Sequence, residues 1–85
     1  MAVKYYTEPK KWHKLHGEMY YKVDTTKKHH IAVVLSHGEA VQMPIGIYEE
    51  SQDFLLNEDH LELSTKEIFE QKSKEVLQIL KSRLD

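Results

Sequence analysis

Six histidines are the side chains here best suited to chemistry at neutral pH, and four of them lie within the first 30 residues. His13 and His16 stand three apart, a spacing that on a helix turns two imidazoles toward one metal ion. A catalytic zinc needs a third protein ligand and usually a carboxylate behind the imidazoles. The pair alone therefore reads as amphipathic surface, and a metal-dependent enzyme built on it ranks last among the functional readings. His29 and His30 are adjacent, and adjacent residues on a strand point to opposite faces, so the two cannot share a site.

Nucleophilic catalysis wants a hydroxyl with a base and an orienting acid. Ser36, His37 and Glu39 offer those types around Gly38, but near neighbours in sequence rarely reach triad geometry, and no Gly-x-Ser-x-Gly turn occurs. Glu49, Glu50 and Asp53 supply carboxylates for acid–base work, yet clustered surface acids are usually just solvated. Gly17, Gly38 and Gly46 are isolated and build no phosphate loop. The absence of cysteine excludes disulfides, thiolate zinc sites and thiol nucleophiles. No catalytic residue, metal or cofactor is assigned, and the chain is read as not an enzyme.

Charge is more informative than any motif. Residues 1–30 hold seven Lys against Glu8, Glu18 and Asp24, a balance of +4. Residues 31–85 hold four Lys and Arg83 against eleven acids, a balance of −6, which gives −2 overall. The basic third also contains the only Trp and four of the five Tyr. Lys10, Lys11, Lys14, Lys22, Lys27 and Lys28, interleaved with aromatics such as Tyr20, combine phosphate neutralisation with surfaces on which unpaired bases stack. Single-stranded RNA or DNA is therefore the second expected partner, with Tyr20 and Lys22 on an open sheet face beside the Lys27–Lys28 turn. Arg83 is the only arginine and the isoelectric point is near 6.3, both unlike a dedicated nucleic-acid binder.

The first expected partner is another protein. Over residues 48–63, acids surround aromatic and aliphatic anchors, a combination that docks on basic grooves with the apolar groups as hot spots. Tyr48, Glu49, Glu50, Asp53, Phe54 and Leu55 are the candidate contact residues. A sheet edge near Pro44, or a short strand over 60–63, is an alternative place for a partner strand to add.

These side chains need elements to hold them. Residues 7–17 read as a short helix, with Thr7 or Glu8 as its cap, Pro9 in the first turn, Trp12 and Leu15 on one face and Gly17 at the exit. Residues 18–24 alternate, with Met19, Tyr21 and Val23 on one face. Residues 25–28 form a wide polar turn, and the nearly continuous apolar run over 29–36 reads as a central strand covered on both sides. A third strand is expected over 39–45, with Val41, Met43 and Ile45 on one face and Pro44 near an end or edge. Residues 46–59 yield no firm element. Ser64 and Glu67 form a capping box, and Phe69, Ser73, Val76, Leu77, Leu80 and Leu84 make a helical stripe widened by Ile68 and Ile79.

At 85 residues and 10.1 kDa, surface scaling gives burial of roughly 64% of the unfolded chain's area, enough for one thin core. The expected class is α+β: residues 1–85 as a single small domain, a three- to four-stranded mainly antiparallel sheet, a short N-terminal helix, and a C-terminal helix packed on one face. No stretch approaches the roughly 20 apolar residues of a membrane span, and no signal-peptide pattern opens the chain. A cytoplasmic protein is expected, without membrane contact. A homodimer through the wide helical stripe is compatible with this picture. A chain so small and motif-poor has the style of accessory or inhibitor proteins of phages and mobile elements. The expectation is a non-enzymatic regulatory protein that docks on another protein.

Overall fold

β-Branched and aromatic residues fill most of 3–7, apolar residues alternate through 17–24, and an apolar run occupies the middle of 29–37; each of these segments is a strand. A computed structural model describes residues 3–51 and 61–85. β1 is Val3–Thr7. A single 3-10 turn over Lys10–Trp12 runs into α1, His13–His16. β2 is Gly17–Asp24, β3 His29–His37, β4 Gly46–Ser51 and β5 Glu62–Leu63, and α2, Lys66–Leu84, follows. The strands form one sheet in the order β4-β3-β2-β1-β5, and every neighbouring pair is antiparallel. The class is α+β, with five strands among the described residues where the sequence suggested three or four.

The period-2 geometry of strands sorts the apolar residues into two clusters. Met19, Tyr21, Val23, Ala32 and Val34 are buried on one face, packed by Tyr6, Val41, Met43, Tyr48 and Leu61. Tyr20 and Val33 are buried on the other face against Val76 of α2, with Leu35, Ile45, Phe69 and Leu80 around them. β3 therefore contributes to both clusters, which is why its sequence is apolar almost throughout. The helix covers the face opposite Met19, Tyr21 and Val23. Residues 38–45 supply Val41 and Met43 to the remaining face.

Several expected elements differ. Residues 7–17 are not one helix: Thr7 is held in the β1–β2 ladder opposite Tyr20, so helical structure starts only after Pro9. Trp12 and Leu15 form no common buried face. Trp12 stacks instead on His16, with ring centroids 5.1 Å apart, and Leu15 is exposed. The third strand is not 39–45 but β4, directly beyond it. The N–H groups of Glu39 and Ala40 are bonded to the carbonyls of Lys14 and Leu15, and Pro44 has none to give.

At α2 the cap is Thr65, whose Oγ1 accepts from the Ile68 N–H at 3.2 Å. Ser64 is not the cap, because its own N–H donates to the Tyr5 carbonyl and extends the β1–β5 pairing. The helical stripe is narrower than its sequence suggests: Val76 is buried, whereas Ile68, Leu77 and Leu84 are exposed. One flank of α2 is fixed by Lys72, whose Nζ lies 3.6 Å from Glu18 Oε2 and over the Tyr20 ring. At 100° per residue Leu77 falls on the flank turned away from that contact.

Candidate functional site

Two constellations of polar side chains gather on the sheet, and a third feature, the β4 edge, lies between them. On the face away from α2, the turn after β1 buries Glu8. Its Oε2 is 3.3 Å from His16 Nδ1, and its Oε1 accepts from the Tyr21 hydroxyl at 3.4 Å. His13 Nε2 donates to the Glu8 carbonyl at 2.8 Å. The two histidines of the candidate metal pair thus serve different atoms of one residue and do not converge on a common point. Among the described residues no group of three or more His, Asp or Glu has the geometry to hold a metal ion.

Glu8, His16 and Glu50, with Met19, Tyr21, Val41 and Met43, line a cleft of about 60 Å³. That is room for water, whereas small-molecule sites usually occupy about 300 Å³ or more. The other nucleophile candidates are occupied structurally: Ser36 Oγ accepts from the Glu18 N–H at 3.2 Å, and His37 Nδ1 lies 3.3 Å from the Gly38 carbonyl.

His30 is the most unusual ionisable group on this face. It sits across the β3–β4 ladder from Glu50, with its side chain 0% exposed and its Nε2 3.7 Å from Glu50 Oε2. The Tyr21 ring meets it edge-on. Burial, and secondarily the neighbouring His29, hold its pKa below the ordinary 6.5, partly offset by the Ser51 backbone. Burial likewise raises the Glu50 carboxyl above its ordinary 4.5.

The sign follows from linkage. Below about pH 6.5 the unfolded chain takes up a proton that folded His30 resists, so stability falls as the pH falls. Raised Glu50 acts oppositely, its contribution being lost as the pH rises above 4.5. As the pH falls from about 8 to about 5.5, the native protein is expected to lose stability relative to a His30→Gln variant, which keeps Glu50 and so isolates the imidazole. Denaturant midpoints of both proteins across that range provide the check. A difference that does not change with pH would show that His30 is not held neutral.

The second constellation lies at the β2–β3 turn on the α2 side of the sheet, beyond the helix. Lys22, Lys27, Lys28 and His29 line an open groove of about 240 Å³ with Val3, Asp24, Ile31 and Glu49. Asp24 is held below the usual carboxylate range, first by the Thr26 hydroxyl and then by the Thr26 N–H, with Lys27 and Lys22 adding to the effect. The structure therefore brings Lys22, Lys27 and Lys28 together. Lys10, Lys11 and Lys14 lie beyond the opposite end of β2, which at eight residues is roughly 25 Å long. Tyr20 is not the exposed stacking surface expected of it. It is 8% exposed beneath α2, its hydroxyl donates to Glu18 Oε2 at 2.5 Å, and burial, followed by Glu18, pushes its pKa up.

Of the candidate protein-contact residues, Tyr48, Glu49 and Glu50 lie on β4, while Asp53, Phe54 and Leu55 fall outside the described residues. Tyr48 packs against the buried cluster, and its hydroxyl donates to the Pro44 carbonyl at 2.7 Å. Glu50 faces His30. Glu49 alone of these three is exposed, with its side chain 68% exposed and its Oε1 3.9 Å from His29 Nδ1, on the same face as Ile47, which is 41% exposed. Sequence reasoning missed Ile47 and Leu77 as surface residues. The signal for Ile47 was Pro44, since a ladder that starts just beyond a proline places its first apolar residues on the sheet margin.

Among the described residues no helix is long and apolar enough to cross a membrane. No family model, curated protein or solved structure matches the chain.

Proposed function

We propose that this chain is a non-enzymatic binding protein that docks on another protein through the outer edge of β4. One observation carries the reading. β4 is a six-residue strand with, among the described residues, a strand neighbour on one side only, and it carries exposed Ile47 and Glu49 on the sheet face that α2 partly covers. Exposed apolar side chains beside an open edge are the features partners use. The small size of the cleft at Glu8 supports a binding role over a catalytic one, as does the structural employment of Ser36, His13 and His16.

The experiment is affinity capture from the native host, with and without nuclease, comparing the native chain with an Ile47→Lys variant. The lysine stem can lie where the isoleucine lay, so the variant is expected to fold, which far-UV circular dichroism checks. A protein retained in the presence of nuclease and bound at least about tenfold more weakly by the variant is the expected result. Equal binding by the two forms would remove β4 from the interface. Retention that disappears with nuclease, and with Lys22, Lys27 and Lys28 changed to Glu, would instead make the basic groove a single-strand binding site.

A further inference from the structure

We infer that the strip of sheet face beside α2 receives an acidic amphipathic helix from a partner protein. The helix lies alongside α2, its carboxylates toward Lys22, Lys27 and Lys28 and its apolar stripe toward Ile31 and Leu77. This surface adjoins the β4 edge and goes beyond the docking reading above, naming a second contact and the chemistry of its occupant.

The ladder registers fix the shape of the strip. Residues paired directly across strands point to one face. Tyr5, Lys22, Ile31 and Glu49 therefore form one row across the sheet, and Thr7, Tyr20, Val33 and Ile47 form the next. α2 enters over Tyr5, where Phe69 meets the ring at 5.5 Å, and then seats Val76 on Tyr20 and Val33. From Lys22 outward, that first row and the Asp24 end of β2 line the open groove of about 240 Å³. Rows on one face are about 7 Å apart, so a second helix fits there at the 8–10 Å typical between packed helices. Leu77 forms the wall. It is exposed on the flank turned away from the Lys72–Glu18 contact, and Glu18 and Lys22 lie on opposite sides of Tyr20 along β2.

Main-chain bonding makes the occupant helical. β2 and β3 each have a strand on both sides, so their N–H and C=O groups are committed to ladders and the floor offers only side chains. A segment lying on it must satisfy its own backbone, as a helix does. Charge then selects the partner. Lys22, Lys27 and Lys28 are exposed, whereas both carboxylates of the groove are engaged within the chain. Asp24 accepts from the Thr26 hydroxyl at 2.6 Å and the Thr26 N–H at 3.0 Å, and Glu49 lies 3.9 Å from His29. Among the described residues no aromatic ring lines the groove, so unpaired bases find nothing to stack on, while Val3, Ile31 and Leu77 match apolar side chains. The α2 of a second copy is the wrong helix, because Lys74 and Lys81 flank its Leu77 and would meet the lysines of the groove.

The test presents the full chain with a displayed library of 18-residue peptides, Leu fixed at helical spacing and all other positions random, followed by fluorescence anisotropy of a selected peptide. Asp and Glu are expected to be enriched beside the Leu stripe. Affinity is expected to fall about tenfold or more with Lys22→Glu plus Lys28→Glu, and likewise with Leu77→Asp, while urea midpoints show both variants folded. Changing the peptide's acids to Lys should restore binding to the double variant, and a central proline should abolish it. Enrichment of basic or neutral peptides, no enrichment at all, indifference to either variant, or tolerance of the proline would each overturn the inference. So would an 18-nucleotide oligo(dT) that binds more tightly than any selected peptide, which would make the groove a nucleic-acid site. The two surfaces fail separately. Capture lost with Ile47→Lys alongside failed peptides removes the strip and keeps the β4 edge, and peptide binding with capture indifferent to Ile47→Lys does the reverse.

Discussion

Gly17→Ala is expected to lower stability by about 3 kcal/mol or more, a large share of the roughly 4–13 kcal/mol available to a chain of this size. Gly17 ends α1 and begins β2 with φ +100 and ψ 169, a combination essentially confined to glycine. A methyl group there would lie 2.2 Å from the Ser36 carbonyl oxygen on β3 and 3.1 Å from the His37 carbonyl carbon. Those are backbone atoms in a paired strand and cannot step aside. Gly38 stands on the other side of the same crossing, where a Cβ would meet the Leu15 oxygen at 2.2 Å, so Gly38→Ala should behave similarly. Gly46→Ala is the control. The atoms nearest its added carbon belong to the Tyr48 side chain, from 3.2 Å, which can shift, and the expected change is below about 1 kcal/mol. Urea midpoints of the three variants test this. An unchanged midpoint for Gly17→Ala would mean that α1 does not cross β3 as described.

The second large effect separates two adjacent helical positions. Val76 is 0% exposed and the only buried residue of α2. Val76→Asp places an unpaired carboxylate between Tyr20 and Val33, at an expected cost of about 3–5 kcal/mol, enough to detach the helix or unfold the chain. Leu77 is 55% exposed, and Leu77→Asp should change stability by less than about 1 kcal/mol. Thermal unfolding of both variants distinguishes this helix orientation from one in which Val76 and Leu77 share the buried stripe, where both changes would be severe.

That contrast also marks what could be read from residue order alone. Alternation placed Met19, Tyr21 and Val23 together, and the unbroken apolar run marked β3 as central, because in both cases the strand period is imposed directly by which faces are buried. α2 was legible as a helix but its orientation was not. Leu77, Leu80 and Leu84 look equivalent in sequence, and only the width of the sheet beneath decides which of them reach it. Tyr20 was misplaced for the same reason: a residue on the second face of a strand is buried or exposed according to where a helix 50 residues later comes to rest. Residues 39–45 carry the pattern of a strand, but of the three residues expected on one face Val41 and Met43 pack in one cluster and Ile45 in the other. They form no ladder because their leading N–H groups are drawn to the end of α1 by the Gly17–Gly38 crossing, a long-range contact with no local signature. At the candidate site, Glu49 was visible as an exposed acid, whereas the roles of Glu50 and Tyr48 depended on His30 and Pro44 lying beside them.

β1 has a further consequence during synthesis. One of its margins joins β2 within the first 24 residues. The other waits for Leu63, which pairs with Tyr6 and leaves the ribosome 57 positions later, a delay of about 3–11 seconds at ordinary translation speeds. Throughout that interval the nascent chain exposes a strand with one bare margin, and Lys4, its second residue, is the one placed to discourage premature pairing with a neighbouring polypeptide.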